Sequence, residues 1–500
     1  MDGKRSLILA GGGMRVAYQA GVLRALAEEG ITFQHADGTS GGTINLAMLL
    51  SGLSPIEMVE RWETLPVRDF VSFLPFEKYF SSEGVAAMGD ARSLVERVFP
   101  HLGIDIAKIR AAQDIEGTFN VCNFSRKVSE VIPHQRMTVD YLVAGISLPI
   151  FLPAVQIDGA FYMDSVWIRD ANLMEAVRRG ADELWVVWCI GNTSQYHNGA
   201  FRQYVHMIEI AANGKLFEEF EQINAINRRI ESGEAVDGRR QPIRVHLIKP
   251  ANPLPLDPDY YLGRIDARTL AGRGYADAKQ YLVQRGKGIA LTPEATKMAD
   301  ETLGFTFREK MAGGFTLGET DPEKGAKAGH DAGNTFTMHA TIEIHDLYRF
   351  LADPNHLGSL TGQIDFPPVG LNLPSTSGVF NLFSPTSDPA MKYMVYELGF
   401  ETGGRKYYMA GHKDVKQASI TDLWKATTTL YTQLHEGTDK TGPVVGAGVL
   451  TLGMAELMAM IPTMHATNAK SPEEAASAVA RFGRFFLGEL WDTYVKKAGA

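Results

Sequence analysis

Cysteine is nearly missing from this chain: there are two in 500 residues, Cys122 and Cys189. Two thiols cannot build a disulfide framework, and no pair of CxxC motifs offers a zinc site. Cys189 lies in the apolar run LWVVWCI, where a small thiol reads as core. The HExxH pattern of helical zinc sites does not occur. A basic block is also missing. Lys plus Arg total 49 against 58 for Asp plus Glu, a net charge of −9, so the chain is a poor candidate for wrapping nucleic acid.

Long apolar runs are scarce as well. Leu7–Ala10 is shorter than the ~7–15 residues of a signal-peptide core. The best candidate for a span, Val444–Ile461, is broken by Glu456 and followed by Pro462, and reads as a packed helix. Asp2 excludes N-myristoylation, and the ending KKAGA is no prenylation box. The expectation is a cytoplasmic protein without signal peptide or transmembrane span, with room for a peripheral membrane contact. What is abundant is glycine, 50 of 500 residues, against a usual ~7%. No collagen period or Gly/Ser linker absorbs the excess. It must lie in turns, or where backbone approaches something closely.

The first half alternates strand and helix. Ser6–Ala10 reads as a strand running into Gly11-Gly12-Gly13, and Val16, Ala20, Leu23 and Leu26 share a helix face beyond it. Thr32–Ala36 reads as the next strand, followed by the turn Gly38-Thr39-Ser40-Gly41-Gly42 and a helix over Thr43–Leu50. Further on, Glu175–Arg179 is a predicted helix, Leu184–Ile190 a strand, Phe201–Ile230 a long helix and Ile243–Ile248 a strand. The alternation predicts an α/β domain over 1–290 with a largely parallel sheet covered by helices on both faces. A linker is expected at 291–304.

From 305 to 500 the texture predicts a β-rich module with helical ends. Lys310–Gly333, rich in Gly and charge, reads as a mobile loop. Short β-type runs follow at Thr335–His345, Leu360–Phe366, Gly378–Phe383, Lys392–Phe400 and Lys406–His412. Thr421–Glu436, Ala447–Ile461 and Ser471–Lys497 read as helices.

Two loops in the first half carry chemistry. Gly38-Thr39-Ser40-Gly41-Gly42 is a G-x-S-x-G match between a predicted strand and a predicted helix, the setting of a nucleophile elbow. Such a turn lifts the Ser40 hydroxyl clear of the sheet and aims the Gly41 N–H at a developing oxyanion. Gly11-Gly12-Gly13-Met14-Arg15 has the same strand-to-helix setting. As a dinucleotide fingerprint it is incomplete, because Val16 stands where a small residue is needed. Three successive glycine amides at a helix start form an anion nest instead, and beside a nucleophilic serine such a nest is an oxyanion hole. Arg15 could hold that loop or meet a phosphate group of a substrate. A right-handed β-α-β unit places both loops on one sheet edge, so they should converge.

A nucleophilic serine needs a base. None of the 13 histidines sits in a motif that nominates it, and His35, on the strand before the elbow, reads as packed. The stretch around Asp164 reads SLPIFLPAVQIDGAFYMDSVWIRDANL. Together the glycine loop, GVLRAL, Gly38–Gly42, Ser147-x-Pro149-x-x-x-Pro153, Tyr162-Met163-Asp164, Asn172, AVRRGAD, RVHLIKP and GYADAKQYL resemble the patatin-like phospholipase family in block order, over about residues 5–285. The resemblance implies a Ser–Asp dyad without histidine. By position Ser40 is the nucleophile, Asp164 the base, and Gly11, Gly12 and Gly13 the oxyanion hole. It also implies a lipid ester substrate, an acyl-enzyme, and no need for metal or cofactor. Asp158, in Ile157-Asp158-Gly159, competes with Asp164, but Asp164 has the better spacing to Asn172. Where the family carries Gly-Gly or Gly-Ala after the aspartate, this chain has Ser165 and Val166; where it carries Pro after the asparagine, this chain has Leu173.

Blocks in the second half, among them HDLYRFLADPNHLGSLTGQI, KYMVYELGF and GRKYYMAGHK, resemble the C-terminal module of some cholesterol-oxidase-like flavoproteins. That implies a lipid-handling or membrane-contact module, or a purely structural cover. No flavin-binding half is visible. Phe70, Phe73, Phe76, Tyr79 and Phe80 crowd within RDFVSFLPFEKYFSSEG and read as core, or as an apolar lid over an acyl pocket. The leading reading is a serine lipid acyl hydrolase. Its alternative is a catalytically weak or inactive lipid-binding scaffold of the same fold, and a nucleotide-dependent oxidoreductase comes last.

Overall fold

Leu7 and Leu9 are buried in one apolar core, Ile8 and Ala10 in another. Alternation between two dry cores is what a strand covered on both faces requires, and Arg5–Leu9 (β1) is such a strand. The computed structural model describes residues 3–70, 72–73, 87–284, 288–388, 391–416 and 427–494. The chain divides into two compact units, Met1–Asp300 and Glu301–Ala500. Residues 298 and 299 hydrogen-bond back to Asn192 and Ala251 within the first.

In the first unit β1 is followed by β2 (His35–Thr39), a short pair β3 (Ser72–Phe73) and β4 (Gly89–Asp90), and β5 (Glu116–Asn123). Then come β6 (Val128–Pro133), β7 (Val155–Ile157), β8 (Ala160–Asp164), β9 (Glu183–Val187) and β10 (Arg244–Ile248). The sheet order is β10-β9-β1-β2-β5-β8-β7, with β6 also on β5. The run from β10 to β5 is parallel; β6, β7 and β8 pair antiparallel. Helix α1 (Ala17–Glu28) and the helix Ala267–Val283 cover one face. Helices Leu173–Arg178 and Ala200–Glu231 cover the other. The fold is the expected largely parallel sheet between helices. The helices α1 and Ala267–Val283 touch backbone to backbone: a Cβ on Gly21 would lie 1.8 Å from the Ala271 carbonyl oxygen, and one on Gly274 2.0 Å from that of Tyr18. Part of the glycine excess is therefore spent on helix contact.

β2 lies three residues later than the predicted Thr32–Ala36. Its sequence His-Ala-Asp-Gly-Thr has little intrinsic strand preference. Burial and side-chain hydrogen bonds, described below, hold it in the sheet.

The second unit is an eight-stranded antiparallel barrel. Its strands are β11 (Gly304–Leu317), β12 (Thr335–Ile344), β13 (Leu357–Phe366), β14 (Gly370–Pro385), β15 (Met391–Thr402), β16 (Arg405–Lys416), β17 (Thr429–Glu436) and β18 (Val444–Thr451). Each pairs with the next, and β11 closes the ring by pairing with both β12 and β18. Closure leaves no free edge among the eight. A short strand, β19 (His465–Thr467), adds to β11 beside the closure. Alternate residues such as Phe336, Met338, Ala340 and Ile342 fill the core. The closing helix Pro472–Tyr494 adds Ala478 and Phe482, the latter stacked on Phe305 at 4.2 Å.

Three expectations for this half are corrected. Lys310–Gly333 is not a mobile loop: it holds most of β11 and the helix Pro322–Asp331. Its glycines serve close packing, since a Cβ on Gly325 would lie 2.1 Å from the Ala447 carbonyl oxygen and one on Gly329 2.2 Å from the Phe315 nitrogen. The described part of Thr421–Glu436 ends in β17, not a helix; residues 421–426 lie outside the described residues. Its threonines suit a strand, and Leu430, Thr432 and Leu434 alternate inward. Ala447–Ile461, the supposed packed helix, is the end of β18 followed by the short helix Met454–Met460. No helix among the described residues is long and apolar enough to cross a membrane. Of the aromatic cluster expected as core or lid, Phe76, Tyr79 and Phe80 lie outside the described residues; Phe70 stacks on Trp62.

Candidate active site

The two expected catalytic residues are brought together by one strand. β2 runs parallel to β5 and ends with Thr39 opposite Asn120. β8 runs antiparallel to β5 and ends with Asp164 opposite Val121. Because β6 occupies the other edge of β5, β2 and β8 share this edge and meet end to end. Ser40, the residue after β2, is thereby set against Asp164. The competing Asp158 is exposed in the two-residue turn Asp158-Gly159, where both residues have positive φ (+49° and +80°), as a tight hairpin demands.

Ser40 has φ +51°, a left-handed conformation that costs a non-glycine residue about 1–3 kcal/mol. Its carbonyl accepts from the Thr43 N–H at 2.9 Å as α2 (Gly42–Leu50) begins. The turn presses on β1: a Cβ on Gly42 would lie 2.1 Å from the Leu9 carbonyl oxygen, and one on Gly41 2.6 Å from that of Gly13. Those glycines are required by packing.

Asp164 is fully buried. Burial pushes its carboxyl up to about 7, against the pull of the Ser40 hydroxyl and the Val166 N–H. Oδ1 accepts from that N–H at 2.9 Å, and Oδ2 is buried without a close hydrogen-bond partner among the described residues. A carboxylate held near neutrality beside the serine hydroxyl is suited to take its proton.

The glycine loop lies against Ser40. A Cβ on Gly11 would fall 2.8 Å from the Ser40 Cβ and 2.1 Å from Asp170 Oδ1. The Gly11 N–H donates to both carboxylate oxygens of Asp170, at 3.0 and 3.1 Å. The Met14 N–H donates to Asp257 Oδ1 at 3.1 Å. Between them Gly12 abuts Cys189, and Gly13 turns with φ +59°. Arg15 Nε donates to the Gly12 carbonyl at 2.9 Å, and its charge favours the ionised forms of both aspartates. Burial, reinforced by the charge of Asp164, pushes Asp170 up to about 8; burial also raises Asp257. Neither Asp170 nor Asp257 was singled out from sequence. Asp170 stands six residues past Asp164 and two before Asn172, but nothing in that spacing names Gly11 as its partner. Asp257 stands in a proline-rich stretch with no motif.

Beneath the elbow lies a buried polar network. Asp37 of β2 accepts from Thr118 Oγ1 at 2.5 Å and from Asn120 Nδ2 at 2.6 Å. His35 joins Ser6 (2.6 Å) to Thr118 (2.9 Å), which makes it a packed histidine, as read. Asn172 donates to Asn120 Oδ1 at 2.8 Å and caps the helix Leu173–Arg178 by accepting from the Glu175 N–H. The departures from the family pattern each find partners. Ser165 Oγ meets Ser129 Oγ at 2.8 Å, and the Leu173 N–H donates to the buried Glu219 at 2.7 Å, a bond proline could not make. Both cysteines are buried and free. Among the described residues no group of three or more His, Cys, Asp or Glu is placed to hold a metal ion.

Residues 7–177 match the family model described as patatin-like phospholipase. Among solved structures the chain is similar to VipD from Legionella pneumophila at 11% identity, over 57% of this chain and 67% of that one, with a TM-score of 0.28. No curated protein matches.

Proposed function

We propose that this chain is a serine hydrolase of lipid acyl esters, working through a Ser40–Asp164 dyad. The observation that supports it best is the end-to-end meeting of β2 and β8, which sets a strained serine against a buried, neutral-range carboxylate. In this reading Asp164 accepts the Ser40 Oγ proton as that oxygen attacks the ester carbonyl. The oxyanion forms beside the glycine loop, where the Gly12 and Gly13 amides have no acceptor among the described residues and the Gly41 amide opens the helix α2. Protonated Asp164 then donates to the departing alkoxide. In the second half-reaction it takes a proton from the water that attacks the acyl carbon, and returns that proton to Ser40 Oγ as the Oγ–acyl bond breaks and the fatty acid leaves.

Within this mechanism Arg15 braces the loop through the Gly12 carbonyl, and a substrate phosphate is left as a second use of its charge. A fluorophosphonate probe tests the dyad. It should label the wild-type chain and not Ser40→Ala, and Asp164→Asn should label at least ~100-fold more slowly. Hydrolysis of short p-nitrophenyl esters and of phospholipid vesicles should fall in parallel. A wild-type chain that binds vesicles, yet neither labels nor hydrolyses, would establish the lipid-binding scaffold instead.

A further inference from the structure

The glycine loop is held at both ends by carboxylates, one fully buried and one half-buried, that come from distant parts of the first unit. Asp170, fully buried, takes the Gly11 N–H on both oxygens. Asp257 takes the Met14 N–H. A Cβ on Gly11 would lie 2.1 Å from Asp170 Oδ1, and one on Gly13 2.5 Å from Asp257 Oδ2, so both carboxylates are packed onto the loop backbone. Arg15 completes the set: its Nε holds the Gly12 carbonyl and its charge faces both aspartates. The outer amides are thus occupied, and the inner two are left for a ligand.

An anion nest works only if its N–H groups converge before the anion arrives. Three glycines in a row do not supply that rigidity, because glycine has the widest backbone freedom. We propose that Asp170 and Asp257 are positioning residues, a pair of carboxylate clamps that fix the loop so that the Gly12 and Gly13 amides meet the oxyanion. The assignment rests on the hydrolase reading above and adds two residues to it. It also changes the part played by Gly11, whose N–H is the anchor of the loop and not a donor to substrate. Repulsion between the clamps and the oxyanion is limited by Arg15, whose charge acts on both aspartates.

The clamps predict a particular kinetic signature. Asp170→Ala and Asp257→Ala should each lower kcat by about 100-fold, the scale of a misplaced oxyanion donor, while KM changes less than about threefold. A trifluoromethyl-ketone transition-state analogue should lose affinity in step with kcat, and a fatty-acid product should not. Asp170→Asn and Asp257→Asn keep an acceptor for the loop amide and should stay within about tenfold of wild type. If the alanine variants do not fold, the double variant D170N/D257N carries the test: weakened acceptors at both ends should cost at least about tenfold in kcat at unchanged KM. Folded alanine variants with wild-type kcat and analogue affinity would overturn the clamps, as would an unchanged double variant. Those results, with Ser40 still labelled by the fluorophosphonate, leave the hydrolase reading standing. A wild-type chain that neither labels nor hydrolyses overturns both.

Discussion

The pH dependence of Ser40 reactivity follows from the burial of Asp164. The working form of the base is the carboxylate, and burial raises its pKa to about 7. Reactivity should therefore be full at high pH and be lost as pH falls through 7. The ionised fraction is ~0.1 at pH 6 and ~0.9 at pH 8, so the rate should rise about tenfold across that window. An aspartate at its ordinary pKa of ~3.9 would be ionised at both values, and the profile would be flat. The assay is the second-order rate of fluorophosphonate labelling, which reads the free protein and involves no product release. Short-ester hydrolysis measured as kcat/KM, with the Ser40→Ala background subtracted, should give the same midpoint. Asp170 faces Asp164 and titrates in a nearby range, so its ionisation would broaden the rise and keep it above pH 6. A flat profile between pH 6 and 8, or a midpoint near 4, would refute the claim that burial sets the base.

Other outcomes are expected from the same physics. Burial raises Asp37 to about 8, so its contribution to stability is full below ~4 and disappears as pH rises through 8; the melting temperature of Asp37→Asn relative to wild type should climb from pH 5 to pH 9, and a constant difference would contradict this. Gly21→Ala places a methyl against the Ala271 carbonyl and should cost about 1–3 kcal/mol in chemical denaturation, since backbone must move. In the barrel, buried Lys413 lies 3.9 Å from Glu309 and donates to the Tyr396 hydroxyl at 3.2 Å. Lys413→Met should destabilise by about 3–5 kcal/mol by stranding Glu309, and adding Glu309→Leu should recover most of it; no recovery in the double variant would show that the pair's charges are not what matters there.

Much of the first unit was legible because its signals are local. An apolar pentapeptide, a glycine loop, a face at helical spacing and a G-x-S-x-G turn each express the geometry of a few consecutive residues, and β1, α1 and the elbow lie where these placed them. Elsewhere local preference misled. The polar end of β2, Gly38–Thr39, reads as a turn until its burial is known, and the glycines of Pro322–Asp331 read as looseness although they lie flat on barrel strands. The segment at Ala447 reads as helix because its apolar run is compatible with either state, and only its partners β11 and β17 make it a strand.

By itself the amino-acid order determined the elbow, the loop and the alternation that makes a parallel sheet, because backbone sterics and side-chain periodicity act within a few residues. Tertiary structure alone decided three things. It put Asp164, already preferred over Asp158 on spacing, end to end with Ser40, since that meeting depends on which end of a hairpin runs into β2 along β5. It closed the barrel, through the pairing of β11 with both β12 and β18. And it joined Asp170 to Gly11 and Asp257 to Met14 across 159 and 243 residues of chain. A hydrogen bond spans about three ångströms of space whatever the length of chain between its ends, so no spacing rule announces it.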